Sequence, residues 1–249
     1  MARKDPISHL SRHADELPQR LAEEILALGA SAVPPLVALV DDPSATVAGS
    51  PAEQSAIHAV HLLSHLDHPD VDPALLRAFA TWPAEGRAVA HVRQALELRA
   101  GPSLVEPLLA VQDPARAATA TALLASCEVD DPRIRARIVA LLAEPGFEAC
   151  VAVARWVERG RDDPELRAAV QAAFDRLLEG FRDATDAMAT APEVDATLSH
   201  TPGMAQLLLA VIELLGEAPV ARADALTRAL VRANAVLRMR VDDLEDELR

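Results

Sequence analysis

Apolar residues recur at three- and four-residue spacing along most of the 249-residue chain, and short polar stretches separate the runs. Ile134, Ile138, Leu141 and Leu142 show the pattern directly after Asp131-Pro132. The spacing predicts about a dozen helices. They run near 15–29, 33–41, 51–66, 72–82, 85–99, 102–112, 114–127, 131–143, 146–159, 163–181, 203–216 and 219–248.

The separating stretches share one dipeptide. Asp5-Pro6, Asp42-Pro43, Asp72-Pro73, Asp113-Pro114, Asp131-Pro132 and Asp163-Pro164 all precede helix formers. An Asp carboxylate accepts from the free N–H groups of a first turn, and Pro fits the next position because its absent N–H is no loss there. The doubled acids at Asp41-Asp42, Asp130-Asp131 and Asp162-Asp163 therefore read as helix starts rather than as a dispersed acidic site.

Connections this short predict antiparallel neighbours that pair as hairpins. Internal repetition argues for an open stack over a closed bundle. Val33–Pro43, "VPPLVALVDDP", aligns with Val105–Pro114, "VEPLLAVQDP", at an offset of 72, and Val71–Phe79, "VDPALLRAF", supplies an intermediate copy. Residues 182–202 are rich in Thr, Ala, Asp and Pro and read as a loop. In the last helix Leu226, Leu230, Ala233, Leu237, Val241, Leu244 and Leu248 keep one apolar stripe, suited to closing the end of a stack.

Leu28-Gly29, Ala32-Val33-Pro34-Pro35-Leu36, Ala38-Leu39 and Asp42-Pro43 resemble one unit of a bacterial HEAT-like repeat protein, of the kind also seen in phycobilin-lyase-type repeats. The resemblance extends to 102–127 and covers about two-thirds of the chain. It implies an all-α fold, an α-α superhelix or solenoid, here of about six antiparallel helix pairs. The expected organisation is 1–181 as HEAT-like repeats, 182–202 as a linker and 203–249 as a C-terminal capping pair. Such proteins mostly bind macromolecules through the concave helical face, and a few are enzymes.

Composition agrees with an all-α chain. Ala supplies 51 residues, aromatics are 2% and Gly numbers only 9. The net charge of −14 opposes nucleic acid and anionic lipid and favours a basic protein partner. HEAT-like DNA glycosylases need a cationic groove, whereas residues 130–170 mix seven basic with eight acidic side chains. Cys127 and Cys150, without CxxC spacing, read as small buried hydrophobes of a reducing compartment. No signal-peptide core and no long apolar span is present, so the expectation is a cytoplasmic protein.

Candidate chemistry is confined to "HAVHLLSHLDH": His58, His61, His65 and His68. At 100° per residue they share an arc of about 80°, opposite Ala56, Ala59, Val60, Leu63 and Leu66. They are thus expected on a solvated face, outside the core. His61 and His65 have the spacing to share a metal, but no Glu stands between them and no third ligand is set by spacing. A solvated face, a divalent-metal site and a pH-sensitive interface all remain open, with no cofactor expected. Nucleophile motifs and Gly-rich phosphate loops are absent.

Two functions follow as expectations. The first is a non-enzymatic repeat protein mediating protein–protein interaction. The alternative is a metal-dependent or lyase-like small-ligand module built around the histidine stripe. The last helix carries arginines in its first half and Asp242, Asp243, Glu245, Asp246 and Glu247 in its second. That arrangement suits either a monomer with a solvated tail or a weak homodimer through 219–248.

Overall fold

Pro51, Pro102, Pro114 and Pro132 each open an α-helix in the computed structural model, where a missing N–H is harmless and a fixed φ is already helical. The structure describes residues 6–13, 16–143, 146–158, 164–173 and 175–176. Every regular element among them is helical. Three are short 3-10 helices, Pro6–Arg12, Gly29–Ala32 and Pro43–Thr46. The α-helices are α1 (Gln19–Leu26), α2 (Val33–Val40), α3 (Pro51–Ser64), α4 (Val71–Thr81), α5 (Arg87–Leu98), α6 (Pro102–Leu109), α7 (Pro114–Ser126), α8 (Pro132–Leu141) and α9 (Phe147–Glu158). Residues 164–173 are helical as well.

The caps follow the Asp-Pro logic at three of its sites. The Ala115 N–H donates to Asp113 at 3.1 Å, the Arg133 N–H to Asp131 at 2.8 Å, and the Ser44 N–H to Asp42 at 2.8 Å. At α3 the cap is Ser50, which accepts from the Glu53 N–H at 3.0 Å, while the Glu53 carboxylate accepts from the Gly49 N–H. Asp72 departs from the expectation. It lies inside the first turn of α4, whose N-cap position is Asp70 with no side-chain capping bond, and its carboxylate instead accepts from Arg99 and from the Ser103 hydroxyl. Asp5 and Asp163 lie outside the described residues.

The chain divides into two compact units, Met1–Val129 and Asp130–Arg249. In the first, consecutive helices pair as α2 with α3, α4 with α5 and α6 with α7. Each also touches the helix two further on: α2 meets α4 and α4 meets α6, while α3 meets α5 and α5 meets α7. The contacts thus form two rows, α2–α4–α6 and α3–α5–α7, with the core between them. Leu36, Leu63, Leu75, Phe79, Leu96, Leu104, Leu108 and Leu123 fill it, all fully buried. Each such side chain stabilises the fold by about 1.5–3 kcal/mol. The N-terminal 3-10 helix packs on α3 through buried Ile7 and Leu10. Gly29, at φ +58°, lets the chain bend by 110° between α1 and Gly29–Val40.

Arginines join turns 33 to 37 residues apart. Arg77 pairs with Asp41, 36 residues earlier, at 2.8 Å. Arg99 donates to Asp72 and to the Leu66 carbonyl just past α3, 33 residues back, at 2.9 Å. Arg116 donates to the Phe79 and Trp82 carbonyls at the end of α4, 37 and 34 residues back. The last carbonyls of a helix have no partner within it, and a guanidinium fork suits them.

The second unit uses the same device. Arg176 donates to the Leu142 carbonyl just past α8, 34 residues back, at 2.6 Å. Here α8 packs on α9, and Ile134, Ile138, Ala149, Val153, Trp156, Leu166 and Val170 are buried. The expected linker at 182–202, the capping pair at 203–249 and the C-terminal charge pattern lie outside the described residues. No single described helix is long and apolar enough to cross a membrane.

Candidate functional site

α3 packs against α2, against α5 and against the 3-10 helices Pro6–Arg12 and Pro43–Thr46. The side opposite its apolar stripe therefore meets protein, and the expectation of a solvated histidine face is overturned there. His58 is only 4% exposed. Its Nε2 lies 3.0 Å from the His13 carbonyl oxygen, which can only accept, so this nitrogen carries the proton. The Gln54 amide lies 3.3 Å from the same nitrogen.

His61 is half-buried and reaches across to α5. Its Nε2 stands 3.0 Å from Nδ1 of His91, with the rings edge to face at a centroid distance of 4.9 Å. One of the two nitrogens must donate and the other accept. The pair therefore admits one proton beyond neutrality, because a second would set N–H against N–H.

The rest of the stripe parts from this cluster. His65 is exposed at the C-cap of α3. His68 lies beyond the helix and accepts from the Asp70 N–H at 3.2 Å. The nearby Asp72 is engaged by Arg99 and Ser103. His58, His61, His65 and His68 thus do not converge as a ligand set. Among the described residues, no group of three or more His, Cys, Asp or Glu side chains is arranged to hold a metal ion.

Burial holds all three clustered imidazoles below the ordinary value of 6.5. For His58 the hydrogen bond to the His13 carbonyl opposes the burial, while His13 and Arg87 add to it. For His61 burial is joined by His91, His58 and His65. For His91 it is joined by Arg87 and His58. Each charge on that roll is cationic or an imidazole, so the cluster is neutral at pH 7 by mutual repulsion as well as by desolvation.

His91 and His13 were not singled out by sequence reasoning. The signal for His91 was available: it follows His58 by 33 residues, close to the offset at which the arginines join turns. His13 contributes a backbone carbonyl, which residue type cannot reveal. Trp82 and Trp156 are both buried, as packing residues are. Cys127 and Cys150 are free and buried, and desolvation pushes the Cys150 thiol up to about 11, far from nucleophilic use. Compared with protein families, curated proteins and solved structures, the chain matches none.

Proposed function

We propose that the protein is a helical-repeat scaffold, an α-solenoid of antiparallel pairs resembling HEAT-like repeats, that binds a basic protein partner through its concave helical face and performs no chemistry itself. The observation that supports this reading is the alternation of contacts in the first unit. Helices there pair as α2 with α3, α4 with α5 and α6 with α7, and each pair meets the next through α2–α4, α3–α5, α4–α6 and α5–α7, which is how stacked two-helix units bury a continuous core. Arginine contacts spaced 33–37 residues apart carry the same period. The charge of −14 supplies the attraction for a cationic surface, acting mainly on encounter rate and specificity.

Affinity capture with the full chain from its native host tests this reading. A stoichiometric partner of high pI, released as salt screens the exposed charges, is the expected result. A purified chain that instead retains a small organic ligand or turns one over contradicts it.

A further inference from the structure

We propose that His58, His61 and His91 form a proton-sensitive latch, which holds the N-terminal 3-10 helix and α5 against α3 at neutral pH and loosens both in mild acid. The geometry rests on two cross-element contacts. His58 joins α3 to the chain end of the 3-10 helix through the His13 carbonyl, and His61 joins α3 to α5 through His91. Uptake of a proton leaves the His58 donor in place but sets a charge on a side chain 4% exposed to water. Uptake of two by the His61–His91 pair places two N–H groups 3.0 Å apart. In both cases hydration of the charge requires the packed element to move away.

The neighbours do not neutralise that charge. Arg87 and His91 face the cluster from α5, His13 from the 3-10 helix and His65 from α3 itself. α2 carries no titratable side chain. On α3, Glu53 is bound to the Gly49 N–H; on α1, Glu23 holds Gln19 and Glu24 holds Arg20. Asp42 is bound to Ser44, Asp72 to Arg99, Arg77 to Asp41 and Arg116 to Asp113. Arg93 and Glu97, further along α5, make contacts of their own.

The direction with pH follows from the lowered imidazole values. Between 6.5 and the folded-state values the opened chain binds more protons than the closed one. The closed state is therefore fully favoured above about pH 6.5, loses ground as pH falls from there toward the folded-state values, and levels off below them.

Hydrogen exchange on the full chain provides the test. Protection of the amides of Ile7–His13 and of α5, with intrinsic rates divided out, is compared at about pH 7.5 and about pH 5.5. The expected result is a loss of protection in both segments at the lower pH, while Leu104–Leu108 in α6 keep theirs. A His58→Gln/His61→Gln/His91→Gln variant keeps an amide donor and cannot charge, so its protection should be equal at both values. Unchanged protection in the native chain, or an equal loss in the glutamine variant, overturns the latch. If the variant folds poorly, NMR titration of the native histidines decides: proton uptake by His58 at or above pH 6.5, or uptake without loss of protection, also overturns it.

Discussion

α2, α4 and α6 are 8, 11 and 8 residues long, whereas α3, α5 and α7 run to 14, 12 and 13. The longer row also holds every buried polar side chain found among the described residues: Ser55, His58 and Ser64 in α3, Thr121 and Ser126 in α7. Four of these are satisfied inside their own helix. Ser55 donates to the Pro51 carbonyl at 2.8 Å, Ser64 to His61 at 2.7 Å, Thr121 to Ala117 at 2.8 Å and Ser126 to Ala122 at 3.3 Å. His58 looks outward, to His13. The short row buries no polar side chain; the end of its α4 is secured by Arg116 from α7, and Arg77 of α4 pairs with Asp41 at the end of α2. A buried helix tolerates hydroxyls that its own backbone carbonyls satisfy, whereas terminal carbonyls in either row are left for another element to bind. The long row's outward-looking histidines, His58 toward His13 and His61 toward His91, are also the groups poised to respond to pH.

Removing an arginine contact should break the comparison most severely. Arg99→Ala strands the Leu66 carbonyl and leaves the Asp72 carboxylate, 19% exposed, with only the Ser103 hydroxyl. The expected loss is about 3 kcal/mol in urea denaturation, because a mostly buried charge is left without its partner. Arg77→Ala, whose pair with Asp41 is about half exposed on both sides, should cost about 0.2–1 kcal/mol. Equal losses at the two positions would show that the carbonyl contacts are not what distinguishes Arg99.

How much of this was legible in the sequence depended on the range of the interaction. The starts of α3, α6, α7 and α8 fall where the spacing and the prolines put them, since a cap is chosen by residues within one turn. The 3-10 helices Pro6–Arg12 and Pro43–Thr46 follow two of the Asp-Pro starts, but they are too short to show a period and the spacing predicts no helix over them. Asp72 carries the same Asp-Pro signature as Asp113, yet its partners stand 27 and 31 residues away and no local rule points to them. The histidine stripe was found, but its surroundings were misread. Helical angles give the side of α3 on which a residue lies, and whether α5 covers that side is a tertiary fact.

The caps give the next effect, and it carries its own pH window. Asp131 is held below its ordinary carboxylate value of 3.8 by Arg133, first through side-chain and then backbone hydrogen bonds. Asp113 is held down likewise by Arg116 and Ala115. A carboxylate with a lowered folded value stabilises above its unfolded value and loses that contribution as pH falls through the folded one. Asp131→Ala and Asp113→Ala should each lower the melting temperature at pH 7, additively, since they cap different helices. As pH falls from 3.8 to below the folded-state values, the native and variant chains should converge. A difference that persists undiminished in acid would mean that the carboxylate charge is not what the caps use.

The smallest effect sharpens the comparison most. If the long row's hydroxyls are satisfied by their own helix, removing one leaves little undone. The Pro51 carbonyl that receives the Ser55 hydroxyl already sits in the first turn of α3, where the backbone N–H of the next turn also reaches it. Ser55→Ala removes a buried donor together with its need for a partner, and Ala is the better helix former. Its net cost should stay within about 0.5 kcal/mol of zero in urea denaturation. The same change in Thr121→Ala should cost more, because a buried methyl is lost along with the hydroxyl, about 1 kcal/mol. If Ser55→Ala instead costs as much as Arg99→Ala, the hydroxyl holds something beyond its own helix. The two rows would then be secured in the same way.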